Sequence, residues 1–235
     1  MASKTRMLEL VRGLRWKQVD AGLAETPKLV GLRDEKGRNW LHICCGVNPK
    51  QRNLKAADSL RTAAVLLQAG LALDGEAFTE GEWKATPLWF AVARGENLAL
   101  AKDLVARGAD PNHCLWAAAY RDAVAMIELL VAGGAEVDPV VEAETPFLHA
   151  VKTSHFRAAK ALLDLGADVD YRDPHGMTAL HYMLKKRSDE RHFRMIARYG
   201  ARGDLPNREG VTAVEIMARK RSEAFRKLAA RFAVG

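Results

Sequence analysis

Three stretches of the chain repeat one another. "TPFLHAVKTSHFRAAKALLDLGADVD" covers 145–170, and "TPLWFAVARGENLALAKDLVARGADPN" (86–112) and "TALHYMLKKRSDERHFRMIARYGAR" (178–202) follow the same order of residue types. Nothing else constrains the fold as strongly, because a self-similar chain builds one local unit repeatedly and buries each unit against the next. The position of Thr145 recurs at Asn39, Thr86, His113, Thr145, Thr178 and Thr212, with gaps of 47, 27, 32, 33 and 34. A glycine recurs at Gly70, Gly108, Gly134, Gly166 and Gly200, with gaps of 38, 26, 32 and 34. The two markers drift together, so the period is real and close to 33, with an insertion in the first gap and a deletion in the second.

Each unit reads as a helix pair. The Thr-type marker stands where an N-cap satisfies the free amides of a first helix. Pro87 and Pro146 follow it, at the position that tolerates a missing N–H. A small-residue segment comes next, as in "FAVA" (90–93), and lets neighbouring helices approach closely. The second helix carries apolar residues at helical spacing: Ala158, Ala159, Leu162, Leu163 and Leu165 in one copy, Ile127, Leu130 and Val131 in another. Glycine ends it, since glycine accepts the left-handed conformation that closes a helix. "RDPHG" (172–176), "NREG" (207–210) and "DEKG" (34–37) mark exposed turns.

"TPLW", "TPFLHAV" and "TALHYM" resemble the T-P-L-H-x-A signature of the ankyrin repeat, and the resemblance covers roughly residues 6–235. Departures exist: His149 falls one place late, Trp89 and Trp116 replace the signature histidine, and Glu215 replaces it in the last copy. The resemblance implies an all-α solenoid of stacked helix-turn-helix units with protruding β-turn fingers. It would form one domain over 1–235. An N-terminal cap covers 6–33, repeats cover about 34–74, 75–112, 113–138, 139–170 and 171–204, and a C-terminal cap covers 205–235. The insertion falls at "GVNPKQRNLK" (46–55), which carries Lys50, Arg52 and Lys55. The deletion removes most of the turn before the 113–138 unit, leaving a notch beside Trp116 and Tyr120.

Charge is unevenly spread. Residues 1–55 are net +7, 56–170 net −8 and 171–235 net +8. Two basic ends flank an acidic middle, which disfavours a continuous track for nucleic acid. No apolar run is long enough to span a bilayer. The start shows no secretory signal, and the three cysteines Cys44, Cys45 and Cys114 form neither a disulfide framework nor a zinc pattern. These features lead to the expectation of a reduced, cytoplasmic monomer.

No catalytic motif, metal pattern or cofactor fingerprint is present, so the chain is expected not to be an enzyme. Cys44 and Cys45 occupy small core positions. His42 and His181 fall on the signature histidine, whose side chain bonds local backbone. The function expected from the resemblance is protein–protein recognition through a concave surface of turn tips and first-helix ends. The matching positions are Glu82, Trp83, Phe90 and Arg94; Tyr120 and Arg121; Glu142, Glu144, His149 and Lys152; His175, Met177, Tyr182, Lys185 and Lys186; and Arg208, Arg219 and Lys220. Trp83 and Tyr120 are the expected aromatic anchors. Two rival readings remain open. The basic stretch 185–231 could bind an anionic surface or nucleic acid, or the 46–55 loop could enter the cleft of an enzyme it regulates.

Overall fold

Helices come in pairs along the chain. The computed structural model describes residues 3–77, 79–80 and 83–232. The first pair is α1 (Lys4–Arg12) and α2 (Trp16–Glu25), and a 3-10 turn (Pro27–Gly31) leads out of it. Then follow α3 (Trp40–Cys45) with α4 (Ala56–Gln68), α5 (Pro87–Ala93) with α6 (Leu98–Ala106), and α7 (Leu115–Tyr120) with α8 (Val124–Ala132). The rest are α9 (Pro146–Lys152) with α10 (Phe156–Asp164), α11 (Ala179–Lys185) with α12 (Glu190–Ile196), and α13 (Ala213–Ala218) with α14 (Glu223–Phe232). Among the described residues one hairpin interrupts the helices: β1 (Thr79–Glu80) runs antiparallel to β2 (Trp83–Lys84), with Glu80 opposite Trp83.

The caps form as the residue types dictate. Thr145, wholly buried, accepts the Leu148 amide at 3.2 Å, and Thr86 does the same for Trp89 at 3.2 Å. Asn39 accepts the amides of Leu41 and His42 at 3.0 and 3.1 Å. Thr212 and Glu215 close a reciprocal capping box. His113 departs from the expectation. Its φ is +65°, whereas the other markers are extended, and α7 begins only at Leu115. The repeat register nonetheless survives there, because Asp122, Ser154 and Arg187 each adopt positive φ nine residues after His113, Thr145 and Thr178. At the other end all five closing glycines have positive φ, from 77° at Gly200 to 99° at Gly134.

The described residues form two compact units: Met1–Ala117 with Leu129–Ala135, and Ala118–Glu128 with Glu136–Gly235. In the first, α1 packs on α3 and α3 on α5, while α2 packs on α4 and α4 on α6. In the second, α9 packs on α11 and α11 on α13, while α10 packs on α12 and α12 on α14. First helices thus meet first helices and second helices meet second helices. The surface between first helices is lined by small residues of no accessible area: Cys44 and Cys45 on α3, Ala91 on α5, Ala150 and Val151 on α9. The second helices supply the larger core side chains, including Leu66, Leu104, Leu162 and Ile196, all fully buried. Residues of α14 apart from Leu228, Ala229 and Phe232 remain outside the core, which gives the terminal helix a polar outer face.

Two sets of polar contacts tie successive repeats together within each unit. His42 donates from Nε2 to the Gly75 carbonyl at 2.7 Å, and His181 donates to the Val211 carbonyl at 3.1 Å. Their Nδ1 atoms accept the amides of Asn39 and Thr178, each at 3.2 Å. At three places the aspartate four residues after a closing glycine reaches one repeat further. Asp74 accepts the Asp110 amide at 3.1 Å, Asp138 the Asp168 amide at 2.8 Å, and Asp170 the Arg202 amide at 2.8 Å.

The 46–55 insertion joins α3 to α4 as a folded turn. Val47 and Pro49 are buried at its base, the Leu54 amide bonds the Pro49 carbonyl at 2.8 Å, and residues 50–53 are exposed.

Candidate functional site

Half of the residues expected to meet a partner gather in two places, one in each unit. In the first unit a cleft of about 590 Å³ opens where the first helices end. Its floor is Ile43 of α3 and the following Gly46, Val47 of the insertion, Ala85, and Trp89 and Phe90 of α5. Phe90 meets Trp89 edge-on at 5.2 Å and His42 edge-on at 5.6 Å. Its rim carries Arg12 from the end of α1, Lys36 and Arg38 from the turn before α3, Arg52 from the insertion, and Arg94 from the end of α5. Arg38 is committed to Asp34, which it binds at 2.6 and 2.7 Å, and its guanidinium lies 6.0 Å from the Phe90 ring centre. Among the described residues no acidic side chain lines this cleft. Phe90 and Arg94 were legible as contact residues from the repeat pattern. Arg12, Lys36 and Arg38 were not, although the net charge of +7 in residues 1–55 was their signal.

In the second unit Tyr120, Glu144, His149, Lys152 and Tyr182 come together. Tyr120 is 48% exposed, with its ring 5.8 Å from that of His149 and the Arg121 guanidinium 5.8 Å from its centre. The Glu144 carboxylate binds His149 Nδ1 at 2.8 Å and also the Lys152 ammonium. That ammonium lies 4.8 Å from the Tyr182 ring centre, and the Tyr182 hydroxyl donates to Asp173 at 2.5 Å. Lys186 reaches the Lys152 carbonyl. Burial, and then the bond to Asp173, push the Tyr182 pKa up. Burial works to raise the Asp173 pKa as well, but donation from Tyr182 and from the Met177 and His175 amides outweighs it and holds the carboxylate below its ordinary value. These side chains form a pre-set polar surface in which each charge already has a neighbour.

The other expected contact residues are dispersed. Glu142 is exposed at a turn tip with φ +50°. His175 is exposed, and its carbonyl accepts the Arg208 amide at 2.9 Å. Met177 is half-buried, 3.9 Å from the Asn207 side-chain amide. Lys185, Arg208 and Arg219 are exposed, and Lys220 lies 5.0 Å from the Phe225 ring centre. Glu82 falls outside the described residues. Trp83 is described only in its backbone, which belongs to strand β2 of the hairpin.

Part of the basic C-terminal charge is matched locally. Arg194 pairs with Glu190, Lys227 with Glu223 at 2.8 Å, and Arg202 with Asp204 at 2.9 Å. Cys44, Cys45 and Cys114 are free and buried. Burial pushes the Cys44 thiol up to about 12 and raises the other two, so none is a nucleophile at neutral pH. No group of three or more potential metal-binding side chains occurs among the described residues. Nor is any described helix long and apolar enough to cross a membrane.

Helix pairs capped by threonine, closed by glycine and packed like upon like define a helical repeat protein. A family model described as ankyrin repeats (3 copies) matches residues 88–173 and 114–207, together more than half of the sequence. The chain belongs to the ankyrin repeat family, whose members are generally protein–protein interaction modules and typically non-catalytic scaffolds. Solved structures agree on the fold. The human ASB11 ankyrin repeat domain is 24% identical, with a TM-score of 0.75 over 96% of this chain and 96% of that one. The ankyrin repeat domain of Bcl-3, a member of the IkappaB protein family, is 18% identical, with a TM-score of 0.74 over 95% and 97%. An ankyrin repeat domain from Acinetobacter baumannii AYE is 20% identical, with a TM-score of 0.64 over 83% and 96%.

Proposed function

We propose that the chain is a non-catalytic recognition module, acting as one domain over 1–235, that holds a protein partner on the face made by its turn tips and first helices. Tyr120 carries the reading. It is a large aromatic side chain left 48% exposed, with Arg121 over its ring and His149 beside it. Aromatic and arginine side chains are the groups that most often dominate contact energy at interfaces. The Glu144–Lys152–Tyr182 arrangement supports the same reading, because side chains already held in place lose little freedom when a partner docks. Three free buried cysteines suit a reducing compartment, so the module is taken to work in the cytoplasm, and as a monomer.

The test is affinity capture from source lysate at low and high salt, using the full chain and the double variant Tyr120→Ala with Arg121→Ala. A partner kept by the parent at high salt and lost by the variant, with melting unchanged, supports the proposal. A partner kept by the variant but lost at high salt would move the function to the basic stretch 185–231.

A further inference from the structure

The cleft of the first unit combines two properties that solvated surfaces rarely share. Its rim holds five cations and its floor is apolar and aromatic. Arg38 has Asp34 as partner, but Arg12, Lys36, Arg52 and Arg94 make no ion pair among the described residues. Four like charges gathered on one cleft repel one another and gain from an anion brought among them.

Three first helices end at this cleft. Arg12 closes α1, Gly46 is the C-cap of α3, and Arg94 is the C-cap of α5. Helix C-termini carry partial negative charge, so Arg12 and Arg94 partly offset it. Lys36 and Arg52 stand on loops, outside any helix. The rim cations also come from separate elements, an arrangement that suits several carboxylates spaced along a chain better than one concentrated anion. A small inorganic anion would leave the Trp89–Phe90 floor in water.

We infer that this cleft receives an acidic segment of a partner protein, with carboxylates on Lys36, Arg52 and Arg94 and an aliphatic or aromatic side chain seated on Trp89 and Phe90. The inference rests on the recognition reading above and names the chemistry of one stretch of the partner. It also gives the 46–55 insertion a role: the insertion supplies Arg52 to this chain's own cleft instead of entering the cleft of another protein.

The test is selection from a random peptide-display library on the immobilised full chain, repeated on the double variant Arg52→Glu with Arg94→Gln. Both side chains are exposed, so melting should be unchanged. The parent is expected to enrich peptides in which Asp or Glu flank an aromatic or aliphatic residue. The variant should bind a labelled winner about tenfold more weakly. Enrichment of neutral or basic peptides, or equal binding by the variant, would overturn the inference. So would displacement of the winner by inorganic phosphate at low millimolar concentration. The two proposals fail separately. A cellular partner lost on Tyr120→Ala with Arg121→Ala but indifferent to the Arg52 and Arg94 changes sinks only the cleft. A partner indifferent to both pairs sinks the recognition face as well.

Discussion

Gly166→Val isolates the backbone contribution of a closing glycine. Gly166 has φ +92°, and no heavy atom lies within 4 Å of where a Cβ would stand. A valine there meets no neighbour, so its cost comes from the backbone alone. A left-handed conformation costs an L-residue about 1–2 kcal/mol, and a β-branched side chain lies toward the upper end. Alanine adopts the same φ at less cost and narrows the unfolded ensemble, which returns about 0.4–1 kcal/mol. The order Gly, Ala, Val should therefore appear as falling stability, with valine about 1–2 kcal/mol below the parent. Urea unfolding followed by circular dichroism reads this directly. With a slope of about 2–3 kcal/mol/M, the midpoint should move down by about 0.5 M. An unchanged midpoint for valine would refute the assignment of the helix end. A loss for valine well above about 2 kcal/mol would refute the argument that backbone conformation alone sets the cost.

Further outcomes follow from the contacts inside each unit. Thr145→Ala removes a wholly buried cap and should cost about 1–2 kcal/mol in the same assay. Asp138→Ala frees the Asp168 amide that it holds at 2.8 Å and should cost about 1 kcal/mol, measured as faster exchange of that amide and a lower urea midpoint. His42 is buried, and burial, opposed in part by its bond to the Gly75 carbonyl, lowers its pKa from 6.5 to about 4. As pH falls below 6.5 the unfolded chain takes up the proton first. Stability is therefore lost between pH 6.5 and about 4, by about 3 kcal/mol from this group. In His42→Gln that part of the slope should vanish, and a stability difference from the parent that stays constant with pH would contradict it. Gly133→Ala should destabilise for a reason opposite to that at Gly166, because its new Cβ would fall 2.7 Å from Val105 Cγ1, and a paired Val105→Ala should restore part of the loss.

The helix pairs were legible because their signals are local. Thr145 and Thr212 cap the helices that immediately follow them, and Gly134 and Gly166 need only their own φ, so each could be read from a few neighbouring residues. His113 keeps its place in the repeat, but its φ of +65° is not the extended conformation of the other caps, and α7 starts only at Leu115. The aspartates at 74, 138 and 170 were visible as a recurring letter, while their acceptor role across about one repeat shows only once the turns are stacked. Glu144, Lys152 and Tyr182 were read as separate contacts. Their mutual pairing depends on side-chain length and direction, which spacing does not carry. The basic cleft was the least legible feature, since Arg12, Lys36, Arg52 and Arg94 are far apart in sequence and meet only through the packing of α1, α3 and α5.

Hydrogen–deuterium exchange of the full chain, alone and with its captured partner, tests the recognition face most directly. Protection is expected in the turn tips and first helices, at the ends of α5, α7, α9 and α11. Protection confined to the second helices, or to α14 alone, would contradict it.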